Sequence, residues 1–124
     1  MTLPYGALVL EHFRRPRNHR VLERPSASHE AFNPLCGDRV RIELEVAERV
    51  IRAAAFTANA CAICTASASL LTERVTGLPL ESAARISDAD ALAALESDVP
   101  MARVACAVLP LAALREAVGT MSRA

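Results

Sequence analysis

NPLCGDRVRIELEV, residues 33–46, sets a tight turn against an unbroken alternation. From Arg39 onward, Val40, Ile42, Leu44 and Val46 fall on one face, and Arg39, Arg41, Glu43 and Glu45 fall on the other. A period of two marks an antiparallel strand with one face on a core and the other solvated. Ala47–Arg49 is expected to turn the chain, without the Asn or Gly that tight hairpins favour. Val50–Thr57 is expected to return, anchored by Ile51 and Phe56. Upstream, residues 26–33 are polar and irregular and enter a short edge strand near Ala31–Asn33.

From Cys61 the period changes. Ile63, Ala66, Leu70 and Arg74 share one stripe, flanked by Leu71 and Val75, and Gly77 suits the stop of that helix. Leu78–Ala84 is a connector, with Pro79 in it. Ser87-Asp88-Ala89-Asp90 reads as a variant capping box for a short helix through Leu95. Met101–Val118 is helical in composition but contains Pro110, which withholds its N–H from the carbonyl of Cys106 and crowds it. The last helix is therefore expected to kink or restart near Pro110, leaving Cys106 in a loosened segment. At the other end, residues 4–13 suit a short helix with Pro4 in its first turn and Leu8, Leu10 and Phe13 as apolar candidates. Arg14, Arg15, Arg17, Arg20 and Arg24 follow as a basic stretch, either a solvated loop or a docking patch for an acidic partner. Helix, strands, then helices predict an α+β fold, with helices on one face of a small antiparallel sheet.

The 124 residues suit one domain, 1–124, and a 52% apolar content argues against disorder. Fourteen basic and fourteen acidic side chains cancel, so nothing global attracts nucleic acid or an anionic membrane. No unbroken apolar run of membrane-spanning length occurs, and the N-terminus lacks the pattern of a signal peptide. The cytoplasm is the expected compartment.

In a reducing compartment the four cysteines, Cys36, Cys61, Cys64 and Cys106, point to metal or redox chemistry before disulfides. Pro34 and Gly37 bracket Cys36 in a turn that exposes its thiol. Asp38 beside it suits a hard ligand, a gate competing for the metal, a base for a thiol proton, or a simple Asx turn. Cys61 opens a helix, where the dipole and free N–H groups favour the thiolate. Because Cys36 precedes one strand and Cys61 follows its return partner, an antiparallel pair brings both to one end of the sheet. A helix crossing that end would add Cys106. Cys64 has three readings: half of a CxxC redox pair, a packed small residue, or a spare ligand. His12, His19 and His29 all lie in the N-terminal quarter, which disfavours a Cys-His hydrolase.

These motifs resemble the U-type iron–sulfur scaffolds, the IscU, SufU and NifU N-terminal-domain family, over residues 5–118. Tyr5, His12-Phe13 and Pro16-Arg17-Asn18 resemble the family's opening motif. Asn33 to Asp38 resembles the first ligand motif, Phe56 with Cys61-Ala62-Ile63 and Ala66 to Ser69 the second, and Arg103, Cys106-Ala107, Leu109 and Ala113-Leu114 the third. The resemblance implies a three-stranded antiparallel sheet with helices on one face. It implies Cys36, Cys61 and Cys106 as ligands or sulfur acceptors, with Asp38 aiding cluster lability. It further implies sulfur from a cysteine desulfurase, a [2Fe–2S] cluster or iron as cargo, Zn²⁺ at the same residues in the apo form, and apo-protein acceptors or carrier proteins downstream. Such a protein is a scaffold or sulfur carrier rather than an enzyme. In a sulfurtransferase variant, zinc is structural or gating and Cys106 or Cys36 carries a persulfide. A degenerate zinc-binding interaction module is a third expectation. The chain departs from the pattern where Ala58 and Ala60 replace glycines, Cys64 replaces a serine, and Ala105 replaces a histidine or basic residue. The SufU-like insertion is also absent. Alanine in a glycine-type conformation costs about 1 kcal/mol or more, so the loop before Cys61 is expected to be stiffer or to take another path.

Overall fold

The alternation of residues 39–46 becomes the central strand of a three-stranded antiparallel sheet. The computed structural model describes residues 5–122, so Pro4 lies outside the described residues. Strands β1 (Ala27–Asn33), β2 (Asp38–Ala47) and β3 (Val50–Asn59) lie in the order β1-β2-β3. The helices are α1 (Ala7–Arg14), α2 (Ala62–Val75), α3 (Leu80–Ala84), α4 (Asp88–Ala94) and α5 (Val104–Ser122), and a 3₁₀ turn at Met101–Arg103 leads into α5.

Val40, Ile42 and Leu44 are fully buried, with Ala54 and Phe56 of β3 and Ala27 of β1 beside them. On that face α5 packs across β1 and β2, and α2 packs against β3 and α5. Burial of each large aliphatic side chain there contributes about 1.5–3 kcal/mol. Helix α1 packs on α2, while α3 and α4 brace α5.

The opposite face is not simply solvated. Residues 18–20 run beside the outer edge of β3: the Phe56 N–H donates to the Asn18 carbonyl (2.9 Å), and the Arg20 N–H donates to the Phe56 carbonyl (3.1 Å). The chain then crosses the polar face to reach β1. On the way the Leu22 N–H donates to Glu43 Oε1 (2.8 Å), and Arg41 Nε donates to Glu43 Oε2 (3.2 Å). Glu43, expected in solvent, is therefore buried and fully bonded.

The hairpin turn is Glu48-Arg49, with φ of 53° and 62°. Two positive φ values in a two-residue loop give the type I′ geometry that matches the twist of the strands. Leu80 N–H donates to the Arg49 carbonyl (2.9 Å), tying the turn to α3. One residue of β3, Arg52, bulges out, because Glu45 pairs with Ala53 while Val46 pairs with Ile51.

Several expectations need correction. β1 is seven residues long, not the short piece near Ala31–Asn33, because β2 offers partners along its whole length. In α1 the buried residues are Val9 and His12, while Phe13 is exposed. Helix α5 is continuous through Pro110 rather than restarting there. Its buried Ala107, Leu111, Leu114 and Val118 outweigh a proline penalty of about 3 kcal/mol. The Ser67 hydroxyl donates to the Ala107 carbonyl (2.6 Å), one residue from the carbonyl that Pro110 deprives. The capping box at Ser87 and Asp90 forms as expected. Met101–Met121 has the length and mean hydropathy (1.5) of a membrane span, but it packs across the sheet as a core helix.

Candidate metal and sulfur site

The β2–β3 hairpin brings the segments flanking it to one end of the sheet, where Arg39 pairs with Asn59. Cys36 lies just before β2 and Cys61 just after β3. Asn33 builds the turn: its Oδ1 accepts the Leu35 N–H (3.0 Å) and its carbonyl accepts the Gly37 N–H (2.8 Å). Gly37 has φ of +76°, a conformation that glycine adopts without strain. The Asx turn thus belongs to Asn33, which frees Asp38 for another role. Cys36 is left exposed at the tip, next to a fully extruded Leu35.

Asp38 points inward and is buried. Its Oδ1 accepts the N–H of Cys61, the N-cap of α2, at 3.1 Å. Its Oδ2 is buried with no partner. Leaving a buried carboxylate oxygen unpaired is costly, and such an atom calls for a proton donor or a cation.

Cys106 sits in the first turn of α5, buried, with its Sγ 3.1 Å from Cys36 Sγ. The two sulfurs and an Asp38 carboxylate oxygen all lie within 4.8 Å of one another. Sequence reasoning expected Cys106 in a loosened segment; it is instead held by a regular helix. Two thiols and a carboxylate suit zinc, iron or one side of an iron–sulfur cluster. The donor set and the orphaned Oδ2 therefore fit a metal.

Cys61 is half-buried beside Asp38 but does not join that 4.8 Å group. A position at a helix start is expected to lower a thiol pKa, and at Cys61 the direction is reversed. Burial pushes the Cys61 thiol up and the Asp38 carboxylate adds to the rise, outweighing the backbone N–H groups of Cys64 and Ile63 that favour the thiolate. Cys64 is fully buried in the core, its thiol pushed far up by burial and then by Asp38. This is the packed-residue reading. Burial, then Cys36 and Asp38, likewise raise the Cys106 thiol strongly. For Cys61 and Cys106 the direction is the same: burial and the neighbouring Asp38 favour the protonated thiol, and a bound cation would oppose that rise.

Ala58 and Ala60 take the other path. β3 runs on through Ala58 to Asn59, paired with Val40 and Arg39, and neither alanine has a positive φ. Both pack half-buried against the core. Ala105, at the position expected to hold a basic group, is exposed. Among the nearby basic groups is Arg103, whose pKa is raised first by the Cys106 thiol and then by Cys61. Sequence reasoning placed Arg103 in the third motif but missed this influence; its position three residues before Cys106 was the available signal.

His12 is buried, with Nδ1 2.7 Å from Ser69 Oγ, which also accepts the Arg17 N–H (2.8 Å). His19 stacks on Phe56 with ring centroids 4.9 Å apart. Both are packing histidines. In the basic stretch, Arg15 and Arg17 pair with Glu11.

Comparison with known proteins extends these observations. The family profile described as NifU-like N terminal domain matches residues 4–123. The bifunctional protein NifU/MnmA of Rubrobacter xylanophilus is 38% identical over 91% of this chain, which spans 23% of that protein. The zinc-dependent sulfurtransferase SufU of Bacillus subtilis is 34% identical over 67% of the chain, which spans 56% of it. The iron-sulfur cluster assembly scaffold protein IscU 1 of Archaeoglobus fulgidus is 32% identical over 92% of the chain and 74% of its own length. The crystal structure of a NifU-like N-terminal protein from Brucella abortus superposes with a TM-score of 0.78 over 95% of this chain and 94% of its own, at 21% identity. With the family profile matching nearly its whole length and the sheet and helices in that arrangement, the chain belongs to the NifU-like N-terminal domain family.

Proposed function

We propose that this protein is an iron–sulfur cluster assembly scaffold that accepts sulfur from a cysteine desulfurase and passes iron or a [2Fe–2S] cluster to apo-proteins or carriers. It is a scaffold or sulfur carrier in the cytoplasm rather than an enzyme. Cys36, Asp38 and Cys106 hold the cargo, and Cys61 joins them by a side-chain movement. The observation that carries this reading is the group of two thiols and a carboxylate within 4.8 Å, with Asp38 Oδ2 buried and unpartnered. A relative named as a scaffold over nearly the whole chain supports it. Anaerobic incubation with a desulfurase, cysteine and iron is expected to give the visible spectrum of a [2Fe–2S] protein. Cys36→Ser is expected to abolish it, and an unchanged spectrum in that variant would refute the site.

The second reading is a zinc-dependent sulfurtransferase, with Zn²⁺ at the same residues. It is favoured by the similarity to a relative of that name and by the exposed Cys36 thiol. A zinc-loaded chain that stimulates the desulfurase, yet forms no cluster in its zinc-free state, would select this reading.

A further inference from the structure

The two thiols at the site differ in access. Cys36 stands on an exposed turn, and Cys106 lies beneath it on a buried helix, with the sulfurs 3.1 Å apart. Sulfur brought by another protein meets Cys36 first. Whatever Cys36 carries is then within attacking distance of Cys106, since reacting atoms about 3–3.5 Å apart define a near-attack arrangement. The helix that holds Cys106 is continuous and packed on the sheet, so this approach is built into the fold.

We propose that Cys106 is a resolving thiol: it attacks Sγ of a Cys36 persulfide and releases the outer sulfur as sulfide, without an external electron donor. This rests on the sulfur-accepting role proposed above. In the step, a bond forms between Cys106 Sγ and Cys36 Sγ, and the bond from Cys36 Sγ to the outer sulfur breaks. The persulfide enters as its anion, and its outer sulfur takes the proton of the Cys106 thiol and leaves with that electron pair as HS⁻. Cys106 sulfur is oxidised from thiol to disulfide level, and the outer sulfur is reduced to sulfide. The chain is left with a Cys36–Cys106 disulfide, which an external dithiol reopens by exchange before another turnover. A metal held between the two sulfurs blocks the step, so it belongs to the metal-free chain.

The test is a single turnover of the metal-free, fully reduced chain. It receives one equivalent of cysteine and a catalytic amount of desulfurase, without oxygen or added thiol. The expected products are sulfide nearly equal to the cysteine supplied, a chain lighter by two hydrogens, and a proteolytic peptide pair joining Cys36 to Cys106. Cys106→Ser and Cys106→Ala should keep one extra sulfur on Cys36 and release at least about tenfold less sulfide. Peptide mapping of the unmodified chain decides the matter even if both variants fold poorly. A wild-type chain that retains its persulfide, carries it on Cys106, or forms its disulfide with Cys61 or Cys64 would overturn the proposal. Cluster assembly with dithiothreitol present separates the two ideas. A chain that assembles the cluster there, yet keeps its persulfide when dithiothreitol is absent, overturns only the resolving step. A chain that takes up neither sulfur nor cluster overturns the scaffold reading itself.

Discussion

Asp38 keeps one carboxylate oxygen bonded to the Cys61 N–H and the other buried alone. In the metal-free chain that buried, unpartnered oxygen opposes folding; in the proposed site it would bind the cation. Asp38→Asn retains an oxygen for the Cys61 N–H and removes the charge. The metal-free variant should therefore be more stable than wild type by about 1 kcal/mol, and should gain less from added zinc. Urea melts with and without zinc read both signs. His12 gives a second prediction at this scale. Burial, with Arg17 adding to it, holds its pKa below the ordinary histidine value. The unfolded chain therefore takes up this proton more readily than the folded one. Stability from His12 is full above about pH 6.5 and is lost as the pH falls below that value and through the lower folded one. Urea midpoints between about pH 7.5 and pH 5.5 should fall in wild type. In His12→Gln, which cannot titrate there, they should fall less.

The hairpin turn shows the same logic in a secondary-structure element. Glu48 and Arg49 both sit at positive φ, where an ordinary side chain costs about 1–2 kcal/mol. Glu48→Asn should raise stability by about 0.5–1 kcal/mol without touching the Arg49–Glu81 pair, as a thermal melt would register. In the opposite direction, Ser87→Ala removes the cap of α4 and should lower stability by about 1 kcal/mol. Elements with a self-contained signal could be read from the chain: the alternation of β2, the Ser87 box, and the period of α2. Those whose shape depends on a distant partner could not. β1 carries His29 and Glu30 and a single large apolar residue, Phe32, and only β2 makes it a strand. The arm at residues 18–26 is fixed by Glu43 and Phe56, which no local pattern announces. Pro110 reads locally as a break, and only the buried face of α5 overrules it. At the site, Cys36 and Asp38 were legible because a turn and a strand start mark them. The reversal at Cys61 was not, because burial and the neighbouring Asp38 decide it.

Across the whole molecule, the core meets the site at Cys106, which belongs to both. The buried cluster under α2 and α5 runs from Val9 to Val118 and is built mainly of aliphatic side chains, so it is expected to hold without metal. Free zinc at about a hundred times its Kd should add about 2.7 kcal/mol and raise Tm by several degrees. Chelation should return Tm to its metal-free value and leave a folded chain; unfolding on chelation would mark a zinc-stabilised module instead. Circular dichroism with and without a chelator distinguishes the two. Cys36 and Cys106 meet across 70 residues of chain. On the ribosome, residues 36–38 and 61 emerge and can join through the β2–β3 hairpin while α5 is still unmade. A nascent chain thus shows half of a binding site and withholds the rest until α5 docks, so that capturing metal is also the sign that this fold has closed.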